Sequence, residues 1–355
     1  MRKTLVLLIF VCIFSVFSFR TSAKESEDYI SEFESAVPKE LEIQSDGAVS
    51  LVGFDALFGE VLALFQNRGG EIVSFFLLLL SGVAISSLTS HVGEGVRDIC
   101  EMGVGLVFST LVFKKIAEMF FEVSECVNET AGFFSALVPI MTGISAASGS
   151  GSVATVQNAG MSLTLFIITS LAIPIFSAVV GFLMATSLVG TVAVEGSLSI
   201  GRGVKSVFTF CIGALTTTIG AVMSLQTVVA SATDNAAMRA VRYAASGMIP
   251  VVGSAVSGSL STLSAGMAYA KSVVGAGGVA VILAMALSPL IMLLLYRLAL
   301  SLALGIADMC AVSVPSRLFS SFRMARDAII AIHAVCSVIF IFEIIVFMKG
   351  GISAV

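Results

Sequence analysis

The run SVVGAGGVAVILAMALSPLIMLLLYRLALSLALGIA, residues 272–307, carries one formal charge, Arg297. A bilayer span takes about 20 mostly apolar residues, and this run is well past that length. It reads as membrane helix interrupted at Pro289, because a proline inside a span removes a backbone hydrogen bond and frees a carbonyl. Arg297 falls late in the run. If the run crosses once and then turns, Arg297 belongs at the cytoplasmic interface; a charge left at membrane depth would instead be a functional candidate.

Similar runs lie on both sides. Ile72–Ser90 is the first clear span, and Cys100–Phe121 is a poorer one, interrupted by Lys114, Lys115 and Glu118. Residues 130–194 carry no formal charge and include Pro139, a Gly/Ser/Ala stretch at 142–153 and an apolar segment, 161–190, with Pro174 inside it. Spans at 206–225 and 328–348 complete a set of about six. Residues 226–247 between them are more polar, with Asp234, Arg239 and Arg242. The expected fold is an all-α, polytopic helical membrane protein. Arg202 and Lys205 in segment 195–205, and Arg317, Arg323 and Arg326 in segment 308–327, mark these two segments as cytoplasmic. Six spans then leave the mature N-terminus and the C-terminus outside.

Composition agrees. Of 355 residues, 57% are hydrophobic and 12% charged, against about 25% charged in soluble domains. Mean hydropathy is +1.05. A soluble enzyme, a disordered chain and a nucleic-acid binder are excluded, the last because it wants a basic face while the net charge here is −4. The bilayer is the expected partner and nucleic acid is not.

At the N-terminus, Arg2 and Lys3 precede an apolar run from Leu5 to Phe19, and Thr21, Ser22 and Ala23 set small residues before Lys24. This is the layout of a signal peptide over 1–23, with an uncleaved anchor helix as the other reading. Residues 24–50 hold eight acidic groups against Lys24 and Lys39 and form an acidic extracytoplasmic segment. Residues 51–68 place apolar side chains at helical spacing around Asp55 and Glu60, as an interfacial helix would. A multi-span domain occupies 69–355.

Two proline pairs suggest an internal duplication. Pro139 and Pro250 each precede a Gly/Ser-rich stretch, containing Gly143 and Gly253, and Pro174 and Pro289 each interrupt the apolar run that follows. The offsets are 111 residues (139 to 250) and 115 (174 to 289). Parallel units over about 114–205 and 227–320 are expected. The six residues are candidates for helix breaks or re-entrant turns; close helix contact through small residues is the plainer alternative.

Few polar groups lie within the spans. Besides Arg297, they are His333, expected to make an interhelical hydrogen bond, and Glu343, whose plain role is interfacial and whose sharper one is intramembrane. The six cysteines have no CxxC spacing and read as small hydrophobes. No Walker loop, HExxH, GxSxG or Cys/His ligand set occurs, so no enzyme activity, cofactor or metal is expected.

One segment is more specific. Ser224, Leu225, Gln226 and Thr227, then Ala232-Thr-Asp-Asn235, Arg239, Arg242, Tyr243 and Ser246-Gly-Met-Ile-Pro250-Val-Val-Gly253 resemble the most recognisable stretch of the stage III sporulation protein AE family. Ala270-Lys-Ser-Val-Val-Gly275, Leu287-Ser-Pro289, Tyr296 with Arg297, and Val138-Pro139 continue the resemblance, which covers roughly 50–348. It implies a membrane component of a multiprotein channel joining mother cell and forespore during endospore formation. By the same resemblance the protein sits in the outer forespore membrane, with the other stage III A sporulation membrane proteins as partners; a channel subunit is also expected to form a homo-oligomer. It carries no enzymatic residues. The alternative is a stand-alone secondary transporter with its substrate site between the two units.

Overall fold

The computed structural model describes residues 54–89, 94–147, 151–192, 197–248 and 253–349. The signal peptide, the acidic segment and Pro250 lie outside them. The order is α1 (Phe54–Thr89), α2 (Glu94–Ala147), α3 (Gly151–Phe166), a π segment (Ile167–Ala172), α4 (Ile173–Val192), α5 (Ser197–Met248), α6 (Gly253–Met309) and α7 (Ser313–Lys349). Among the described residues there is no strand. The protein is a polytopic all-α membrane protein.

Five described stretches, rather than the expected six, are long and apolar enough to cross a bilayer: Gln66–Thr89, Val153–Thr186, Gly203–Val228, Gly266–Met309 and Ser313–Lys349. The one that falls out is 100–121, which lies in α2. Lys114 and Lys115 both pair with Glu118 there, and Lys115 with Glu71, on side chains between 25% and 79% exposed, a set of charges that hydrocarbon would not tolerate. Two boundaries also differ. α1 runs without interruption from Phe54, so residues 54–68 of the expected interfacial segment and the first span share one helix. Arg317, Arg323 and Arg326 stand on α7 rather than in a loop, because α6 and α7 are joined by a turn of three residues. In that turn Val312 N–H donates to Ala307 O and Ala311 N–H to Asp308 O, with Ala311 in the left-handed region (φ 53°).

Pro139, Pro174 and Pro289 are absorbed into continuous helix rather than breaking it. Pro139 lies inside α2 and Pro289 inside α6. Pro174 follows the π segment, whose wider turn (Ile173 N–H to Ile168 O) shifts the helix register just before the ring. At Pro289 the carbonyl four residues back, Met285 O, loses its helical donor; Cys126 Sγ of α2 approaches it at 3.3 Å.

A level of charge crosses the bundle partway along its length. Arg68 of α1 pairs with Glu122 of α2 at 2.8 Å, and Lys115 with Glu71 at 3.4 Å. Lys115 also sits over the Tyr296 ring of α6, which Phe75 of α1 meets edge-on. Arg326 of α7 donates to Arg297 O at the same height. On one side of this level, Gly82 of α1 and Phe108 of α2 pack with Val314, Leu318 and Phe319 near the α6–α7 turn. On the other side lie α3, α4, the first part of α5 and the C-terminal half of α7. The apolar stretch of α6, 44 residues, is about 66 Å long at 1.5 Å per residue, roughly two hydrocarbon thicknesses.

α7 holds the two parts together. It packs against α1, α2, α4, α5 and α6, and 67% of its most apolar stretch is buried. Phe322, Ile329, Cys336, Phe340, Ile344 and Phe347 along it are fully enclosed. Close approach of α6 to α7 depends on Gly275 and Gly278. A Cβ on Gly275 would stand 2.3 Å from Met348, and one on Gly278 3.1 Å from both Ile344 and Leu137.

Candidate functional site

The polar groups at depth gather on α7. Counting from His333, positions 336, 340, 343 and 347 recur at helical spacing and face inward. Two of them are polar and meet partners from other helices.

His333 is 1% exposed, and its Nε2 lies 2.8 Å from Ala286 O of α6. Ala286 is next to Met285, so two adjacent carbonyls just before Pro289 are met by side chains from two other helices. The expected interhelical hydrogen bond of His333 is present. Its acceptor belongs to the helical turn that the proline disturbs.

Glu343 is fully buried within the bundle. The Thr164 hydroxyl of α3 donates to its Oε1, and the Gln226 amide of α5 lies beside the same carboxyl. Gln226 reaches that position through a notch: a Cβ on Gly160 would fall 1.7 Å from Gln226 Nε2. One turn toward the N-terminus of α3, Ser145 of α2 donates to Gln157 Oε1 at 2.9 Å. Gln157, Gly160 and Thr164 are spaced i, i+3 and i+7 and so line one stripe of α3. Four helices are thus tied by side chains that are at most 3% exposed.

The network is not saturated. Gln157 Nε2, both polar atoms of the Gln226 amide, and Glu343 Oε2 have no hydrogen-bond partner among the described residues. Leaving a buried group so costs about 1–3 kcal/mol, and the surrounding packing must offset that cost. Chemically the site offers one carboxyl group, two amides and two hydroxyls. Among the described residues no three His, Cys, Asp or Glu come together as a metal site would need.

Of the residues singled out from sequence, His333 and Glu343 belong to this seam. Arg297 lies apart, on a cleft between α5, α6 and α7. Pro139 and Pro174 are exposed, Gly143 and Pro289 are half-buried, and Gly253 is the first residue of α6. Thr164, Gln157, Ser145 and Cys126 were not legible as site residues, since hydroxyls, amides and thiols are common in small-residue helices. Gln226 had a signal: it stands in the recognisable segment beginning at Ser224.

A family model described as stage III sporulation protein AE matches residues 43–351. No curated protein and no solved structure gives a significant match. A match over most of its length, on a chain with this helical membrane architecture, establishes that the protein belongs to the stage III sporulation protein AE family.

Proposed function

We propose that this sporulation protein is a non-enzymatic membrane subunit of a multiprotein channel spanning the envelope between mother cell and forespore. It sits in the outer forespore membrane, bound to the other stage III A membrane proteins and to further copies of itself, and serves as wall or scaffold. The observation that carries the reading is the displacement of the apolar surfaces along the bundle. Leu77 and Leu88 of α1, and Leu298 and Leu302 of α6, are each more than half exposed on one side of the charged level. Phe166, Phe182 and Phe210 are equally exposed on the other. One bilayer of about 30 Å cannot cover both, so one of the two apolar zones calls for a protein cover.

The test is the size of the protein in mild detergent, alone and with its neighbours co-expressed. A ring or a stable complex with partner membrane proteins is expected. A monodisperse monomer that drives solute uptake into liposomes would replace this reading with the transporter. Glu343 favours that second reading to one degree: a buried carboxyl with an unshared oxygen between four helices is a place where a coupling ion or proton would bind.

A further inference from the structure

The cleft on which Arg297 lies opens between α5, α6 and α7, with a volume of about 520 Å³. Lys205 of α5, Arg297 of α6 and Arg323 of α7 line it, together with Asp327. Apolar side chains, Met324 and Ile330, form the rest of its wall. The single carboxylate is already engaged: Asp327 Oδ1 accepts from Arg326 Nη2 at 2.7 Å. Arg326 is 1% exposed, spans from Asp327 to Arg297 O, and leaves its Nε without a hydrogen-bond partner. Its buried guanidinium thus uses up the local carboxylate behind the wall. Lys205, Arg297 and Arg323 form no ion pair with any described residue. Three convergent cations facing an open space, with the one local acid taken, are a surplus that an anion would neutralise.

The height of the cleft narrows the chemistry. Arg297 follows Tyr296, which lies under Lys115 and against Phe75, so the cleft is level with the Arg68, Glu71 and Glu122 cluster. Charges this exposed belong in a headgroup layer or in water. The apolar stretch of α5, Gly203–Val228, begins two residues before Lys205. Arginine donors match phosphate oxygens in geometry, and basic pockets between membrane helices accept acidic lipid headgroups. We propose that this cleft binds a phosphate-bearing anion, held by Lys205, Arg297 and Arg323, with Met324 and Ile330 beside whatever apolar part the ligand carries. The ligand is either the headgroup of an acidic phospholipid or a free phosphate.

Native mass spectrometry of the purified full chain tests it, with phosphatidylglycerol and phosphatidylcholine supplied in equal amounts. Preferential retention of phosphatidylglycerol, on the order of fivefold for each unpaired cation engaged, is expected. Excess inorganic phosphate separates the sources. A preference that survives it assigns the site to lipid; a preference that it abolishes, with a rise in unfolding temperature from phosphate alone, assigns the site to free phosphate. The triple variant K205Q/R297Q/R323Q should lose the binding, and K205R/R297K/R323K should keep it. Equal retention of the two lipids by the wild type, with no response to phosphate, would overturn the proposal without recourse to any variant. So would an undiminished preference in a monodisperse glutamine variant.

Discussion

Glu343 shows how a single side chain fixes neighbours in a solvent that offers no hydrogen bonds. Its carboxyl receives the Thr164 hydroxyl and flanks Gln226 in a fully buried setting. Truncation leaves a cavity and an orphaned hydroxyl together. Glu343→Ala should therefore destabilise by about 2–4 kcal/mol, read as detergent-phase unfolding. Glu343→Gln keeps the shape and an acceptor and should lose about 1 kcal/mol. Equal losses for the two would mean that volume, not polarity, holds the site. The Gly160 notch gives a sharper case. Gly160→Ala drives a methyl into the Gln226 amide and should cost about 1–3 kcal/mol. Adding Gln226→Ala should recover part of that loss, since the obstruction is then gone; no recovery would place the clash elsewhere. Sequence alone marked Glu343 but could not decide between interface and interior. Distance from Lys349 along the chain says nothing of what faces the residue from α3 and α5.

At the level of the element, the turn joining α6 to α7 illustrates a helix terminus built with an unfavourable residue. Ala311 occupies the left-handed conformation (φ 53°) at the position where helices usually place glycine. The Val312 N–H to Ala307 O bond shows that the terminal hydrogen-bond pattern forms nonetheless. Removing the Cβ relieves strain of about 1–2 kcal/mol, partly offset by backbone entropy. Ala311→Gly should thus raise the unfolding temperature, with a gain of up to about 1 kcal/mol; a fall would show that contacts of the methyl group outweigh its strain. The helices themselves were readable from apolar runs and prolines. Their continuity was not. Pro174 and Pro289 look alike in sequence, yet one follows a π segment and the other sits in unbroken α-helix. Sequence also hides partners such as Cys126, which meets the carbonyl released by Pro289 from 159 residues away in the chain.

For the molecule as a whole, the assembly reading gives the surfaces on the two sides of the charged level different covers, protein on one and lipid on the other. Leu302 and Phe210, both exposed, stand on opposite sides of it. On the assembly reading, Leu302→Cys should cross-link between copies or to a partner protein, while Phe210→Cys should take up a lipid-soluble label. The reverse pattern would place the bilayer around α1 and the α6–α7 turn. The membrane class was plain from composition, because 12% charge cannot clothe 355 residues in water. The displacement of α1 relative to α5 was hidden, because hydropathy records how apolar a segment is and not the height at which it docks. The placement of α7 has one more consequence, for biosynthesis. The helix around which the others pack is made after all the other described helices. Earlier segments must wait in the membrane without their central support until α7 is made. A stop codon ahead of α7 would strip the bundle of its axis.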